Sequence, residues 1–220
     1  MSGATLEHGE QSNVYEAVVD RASELSSVML DVRCGEQRQA ELCSEALAVV
    51  RAALERRAPM YEIVSALRSF AANERPLVIG AVVLRFSQPE SRLEILNAGM
   101  PAVACVLPDG KLSMHAALSA RIGERFGEVH PYELAPLAWG SSWIVSSDGF
   151  TGGKQEPEQV RALWKGMELP QHAHELAATS SEKLADVLVR LGAPQAPERD
   201  ASMLVVNADP TRRFRSGIRP

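Results

Sequence analysis

The segment from Leu77 to Phe86, Leu-Val-Ile-Gly-Ala-Val-Val-Leu-Arg-Phe, is apolar at nearly every position. It is far shorter than the ~18–20 residues that a membrane span requires. A continuous apolar run of this length, in a β-rich middle, reads as a strand. Whatever this chain folds into must bury the apolar faces of its elements. The next residues supply a first neighbour: Ser87 to Ser91 form a Pro-containing turn, and Arg92 to Asn97 alternate as a returning strand.

The flanking segments extend the pattern. Val14 to Asp20 and Ser27 to Arg33 read as two strands joined by a polar turn. Between Glu36 and Arg57 the period changes, with Ala40, Cys43, Leu47, Val50 and Leu54 marking one face of a long helix. Pro59 suits the start of a second helix, Met60 to about Ala72. Ala102 to Leu107 and Lys111 to His115 flank Pro108-Asp109-Gly110, a hairpin signal. Tyr132 to Leu137 and Ser142 to Ser147 continue the strands, helices return at Pro157–Lys165 and Glu182–Leu191, and Ser202 to Asn207 is a last strand. Antiparallel hairpins with helices gathered in pairs define an α+β protein, and two packed sheets with helices outside would bury every apolar face. One domain is expected over residues 13–208, after a loose, polar segment 1–12 and before a basic tail 209–220.

Bulk properties narrow the function. The 220 residues are 45% hydrophobic and 23% charged, a globular composition. A formal net charge of −5 argues against nucleic acid as a partner. Cys34, Cys43 and Cys105 are scattered, without the spacing of a zinc site or a disulfide framework. With no leader-like start and no membrane-length run, the expectation is a cytoplasmic protein.

Several short segments, in order, resemble the metal-dependent serine/threonine protein phosphatases, in particular the bacterial sporulation stage II E subgroup and its relatives in stress signalling. Gln11-Ser12-Asn13-Val14-Tyr15 is similar to that family's Gly-Gly-Asp-x-Tyr, with Asn13 at the metal-binding Asp. Leu30-Asp31-Val32-Arg33-Cys34-Gly35-Glu36 resembles Asp-Val-Ser-Gly-His-Gly and keeps Asp31. Asn97-Ala98-Gly99-Met100-Pro101 resembles Asn-Ala-Gly-His-Pro, with Met100 for His. Trp143 to Gly149 resembles the strand that ends in Thr-Asp-Gly and keeps Asp148, while Arg199-Asp200-Ala201-Ser202 resembles the closing Asp-Asp-x-Thr with Arg199 at the ligand. The resemblance runs from about Gln11 to Val206. It implies a four-layer αββα sandwich of two antiparallel sheets flanked by helices.

The family's reaction hydrolyses phosphoserine or phosphothreonine with two magnesium or manganese ions that share a water. Such ions want oxygen ligands, chiefly carboxylates. The resemblance places metal positions at Asp31, Val32 and Asp148. Asn13 offers a carbonyl oxygen without charge, and Arg199 offers no acceptor at all. Asp200 is a substitute candidate, although neighbours entering a strand point to opposite faces. Weak or absent metal binding is the expectation, with Arg199 turned into the pocket as a built-in cation. Read from the residues alone, Asp31 serves equally as a helix cap and Asp148-Gly149 as a turn. His8, His115, His130, His172 and His174 lack metal-ligand spacing, and Cys34 is a candidate reactive thiol without a marked pocket. The expected function is a phosphatase-like signalling domain that dephosphorylates or binds a regulatory phosphoprotein, such as an anti-sigma-factor antagonist or a stress-complex protein. The alternative is a pseudophosphatase that serves only as a binding module.

Overall fold

The computed structural model describes residues 2–6, 13–19, 24–34, 38–74, 76–87, 90–124, 129–178, 186–187 and 201–208. The strands are β1 (Ser2–Leu6), β2 (Asn13–Val19), β3 (Leu25–Arg33), β4 (Val78–Ser87), β5 (Arg92–Ala98), β6 (Val103–Val106), β7 (Leu112–His115), β8 (Tyr132–Pro136), β9 (Ser142–Ser146) and β10 (Ala201–Asn207). The helices are α1 (Gln39–Glu55), α2 (Met60–Asn73), α3 (Asp148–Thr151), α4 (Pro157–Gly166) and α5 (Leu169–Ala178). Two five-stranded sheets form, in the orders β1-β10-β9-β6-β7 and β2-β3-β4-β5-β8. Every strand pairing in both sheets is antiparallel.

Strand alternation sorts the side chains into three apolar layers. Alternate strand residues face opposite sides of a sheet. Val28, Leu30 and Val32 on β3, with Ile79, Ala81 and Val83 on β4, meet Cys43, Val50, Ile63 and Leu67 of α1 and α2. The intervening Met29, Val82, Leu84 and Phe86 turn the other way and meet Val103, Trp143, Val145 and Leu204 of the second sheet. The outer face of that sheet, with Ala104, Ile144, Met203 and Val205, packs on Phe150, Val160, Trp164 and Leu176 from α3 to α5. The result is the αββα sandwich. The run at Leu77–Phe86 is apolar throughout because β4 is central and covered on both sides.

Some expectations change. Residues 1–12 are not uniformly loose: Ser2–Leu6 extends the second sheet as an edge strand, registered from Ser2 opposite Val205 to Leu6 opposite Ala201. That pairing is made by backbone groups, so hydropathy gave no sign of it. The first helix begins at Gln39 rather than Glu36. Helix α5 was not anticipated; its Pro170 sits in the first turn, where a missing N–H costs nothing. The expected helix Glu182–Leu191 lies outside the described residues except for 186 and 187, which are helical. The tail 209–220 lies outside them entirely. No helix among the described residues is long and apolar enough to cross a membrane.

Trp164 is fully buried, and its ring lies 5.4 Å from that of Phe150, tilted at 46°. Trp164→Ala should lower the unfolding free energy by ~3–5 kcal/mol, the cost of an unfilled aromatic site. Urea denaturation measures this, and a loss below ~1 kcal/mol would show that the outer helical layer is not packed as described.

Candidate functional site

Asp31 follows Met29 by two residues and precedes Arg33 by two, so all three share the face of β3 that looks into the sandwich. Across the sheet its neighbours are Asn13 on β2 and Gly80 on β4. Asp148 opens α3 directly behind β9. The turn that carries it is fixed to β10: the Ser147 amide donates to the Ser202 carbonyl at 2.9 Å, and the Ser202 amide donates to Ser147 Oγ at 2.8 Å. Two carboxylates 117 residues apart thus converge at one end of the sandwich, one from each sheet. Both are buried, at 5% exposure for Asp31 and 8% for Asp148.

Two arginines fill the space between them. Arg33 Nη2 donates to Asp31 Oδ2 at 2.9 Å and to Asp148 Oδ2 at 2.5 Å. Arg121 Nη2 donates to Asp148 Oδ2 at 2.6 Å and lies 2.9 Å from Asp31 Oδ2. Two nitrogens and two oxygens form a four-cornered cluster in which each nitrogen touches both oxygens. Burial pulls the Arg33 guanidinium down, but the Asp31 and Asp148 carboxylates more than offset this and hold it above its ordinary value. Gln155 adds a long contact, with its Nε2 3.4 Å from Asp148 Oδ1.

The fold builds a housing for Arg121, which is 6% exposed. Its neighbour Ile122 exchanges two backbone hydrogen bonds with Ile79, at 2.8 and 2.9 Å, tying the loop to β4. Gly80 opens toward the guanidinium: a Cβ there would stand 2.4 Å from Arg121 Nη1 and 2.6 Å from Met100 Sδ. Gly99 lies against the loop's backbone, where a Cβ would meet the Arg121 amide nitrogen at 2.6 Å, and its φ of +63° favours glycine. Asn97 braces that turn. Its Oδ1 accepts from the Met100 amide and its Nδ2 donates to the Pro101 carbonyl, both at 3.1 Å.

The donor set bears on the ions that the fold family employs. Metal-binding positions need free acceptor atoms, and here the facing acceptors meet N–H groups. The Oδ2 atoms of Asp31 and Asp148 meet the two guanidiniums, and the Val32 carbonyl accepts from Gln39 Nε2. Among the described residues no group of three or more His, Cys, Asp or Glu is placed to hold an ion. As arranged, these residues do not fit a two-ion centre.

Asn13 is buried beside Asp31, whereas Arg199 and Asp200 lie outside the described residues. Among the described residues the pocket's cations are Arg33 and Arg121, neither of which the sequence pattern singles out. Arg33 was legible in principle, since two residues after Asp31 on a strand is the same face. Arg121 sits in an aperiodic loop and gave no signal. Asp31 does not cap α1, whose N-cap is Arg38. The histidines have local partners: His115 with Glu133 at 2.9 Å, His130 with Ser119 at 2.7 Å and His172 with Glu175 at 3.5 Å. The side chains of His8 and His174 lie outside the described residues.

Two antiparallel sheets between helical layers, with Asp31 and Asp148 converging at one end, define a domain of the bacterial PP2C-type serine phosphatase fold. Residues 25–209 match the family model for stage II sporulation protein E (SpoIIE), and the chain belongs to that family. Solved structures agree on the fold. The RsbU and RsbW domains of Rv1364c from Mycobacterium tuberculosis align with a TM-score of 0.71 at 18% identity, covering 94% of this chain and 60% of that one. The PP2C phosphatase domain of SpoIIE from Bacillus subtilis, with a fragment of its regulatory domain, gives 0.69 at 14%, covering 94% and 61%. The SiaA PP2C domain of Pseudomonas aeruginosa gives 0.70 at 17%, covering 94% and 85%. The chain therefore spans about 60% of the length of the first two. No curated protein matches it in sequence.

Two measurements check this geometry. Gly80→Ala should destabilise by about 1–3 kcal/mol through overpacking. The cost should shrink in an Arg121→Ala background, because one of the two close contacts is gone; strict additivity in denaturant unfolding would place Arg121 elsewhere. Thiol alkylation of the native protein at pH 8 should label Cys34, which is partly exposed and donates to Gln39 Oε1 at 3.3 Å. Cys43 and Cys105 are buried, and burial raises the Cys105 thiol to about 11, so it stays protonated there. Mass spectrometry showing Cys105 labelled as fast as Cys34 would contradict this packing.

Proposed function

We propose that this chain is a phosphatase-like signalling domain that binds a regulatory phosphoprotein and does not turn it over. The observation that carries the reading is the cluster at Asp31 and Asp148. Hydrolysis in this fold needs a water made nucleophilic at neutral pH, and the family generally relies on metal ions for that. Here the carboxylates that would hold ions instead face Arg33 and Arg121. A guanidinium stays protonated at neutral pH and can neither accept a proton from water nor generate hydroxide. Binding of magnesium or manganese is accordingly weak or absent in this reading. The catalytic alternative requires both guanidiniums to leave the pocket.

Recognition asks less of a site than hydrolysis does. The scaffold and the strand ends that surround the pocket are kept, so a partner surface can persist while the chemistry is lost. The partner class follows from similarity alone: an anti-sigma-factor antagonist or a stress-complex protein, met in the cytoplasm through the domain 13–208.

The test is turnover of para-nitrophenyl phosphate and of a phosphoserine peptide with millimolar manganese. The expected outcome is a rate no higher than that of Asp31→Ala and Asp148→Ala. Manganese-dependent hydrolysis that either substitution abolishes would restore the enzyme reading.

A further inference from the structure

We infer that Arg33 and Arg121 are resident cations that lock a latent divalent-metal site, so that the fold does without metal and removal of the arginines would uncover a demand for it. This concerns what balances the pocket and stands whether or not the domain binds a phosphoprotein.

Asp31 and Asp148 are both buried, and each Oδ2 is contacted by the same two nitrogens at 2.5–2.9 Å. Two carboxylates brought this close out of water repel each other unless a cation lies between them. A divalent ion is one solution, and a pair of guanidiniums is another with the same charge. Among the described residues the cluster balances: two negative groups face two positive ones. The placement is built in. The Arg121 side chain is 7% exposed, lies in the slot left by Gly80 and Gly99, and comes from a loop bonded to β4 through Ile79 and Ile122. Met100 packs against the same slot, at the position where the resemblance has His. The Arg33 side chain, 35% exposed, closes the rim from the same strand as Asp31. A divalent ion and the arginines would claim the same Oδ2 atoms, so each guanidinium competes with an ion for them and removing either one weakens that competition. Guanidiniums belonging to the chain cannot be chelated or diluted away.

The experiment compares the full chain with Arg33→Ala, Arg121→Ala and the double variant, each in EDTA and in 10 mM manganese chloride. Thermal unfolding and the loss of the free manganese resonance are read in parallel. The wild-type Tm should be the same in both solutions, with no depletion of free manganese. The double variant should melt earlier in EDTA and recover by about 5 °C or more in manganese, with the ion bound. Should the double variant fail to fold, Arg33→Ala decides the matter, because its guanidinium lies at the partly exposed rim. Its Tm should rise by about 2 °C more in manganese than that of the wild type. Manganese binding and stabilisation in the wild type would overturn the inference, as would the absence of any manganese effect in the folding-competent variants.

Discussion

A sheet buried on both faces leaves no interior place for an unbalanced charge. This sandwich has two such sheets, so any charged group facing inward must sit at an end and find its opposite there. Asp31 on β3 and Asp148 at the start of α3, just behind β9, do so at one end, with two guanidiniums between them. The inter-sheet core of Met29, Phe86, Trp143 and Leu204 packs the two sheets together. The cluster neutralises the buried charge at the polar end of that core.

Much of the architecture was legible because it rests on periodicity. Strand alternation around β3 to β5 and the helical spacing of Cys43, Val50 and Leu54 report which faces are buried, and burial dictates the layers. What escaped rests on backbone pairing or on loops. Strand β1 joins an edge through main-chain bonds that its small residues do not announce. Arg121 reaches the site from a segment with no repeat, so only the folded chain puts it beside residues ninety positions earlier. The convergence of Asp31 and Asp148 came from family resemblance, because spacing alone left both free to be a cap and a turn. Arg33 differs from Arg121 in this: two residues beyond Asp31 on a strand, it shares that residue's face, and the alternation rule suffices to place it there.

The chain has the fold of its family. The carboxylates at Asp31 and Asp148 say least about what the pocket does, since an enzyme and a binding module could share them. The donors facing them are informative. Gln39 on the Val32 carbonyl, Arg33 on the strand and Arg121 from the loop come from three separate segments, yet all direct N–H groups at the acceptors that the resemblance assigns to an ion.

Gly80 constrains which substitutions the site can accept. Its missing side chain is the room in which the Arg121 guanidinium lies, and Met100 fills what remains beside it. A lineage that acquired Arg121 would come to depend on that vacancy, and one that enlarged Gly80 afterwards would expel the arginine from between two buried carboxylates. An acid in place of Asn13 would add a third negative group beside that pair. The slot and its occupant therefore constrain each other: the glycine cannot be enlarged while the arginine stays, and the arginine cannot shift without baring two buried carboxylates.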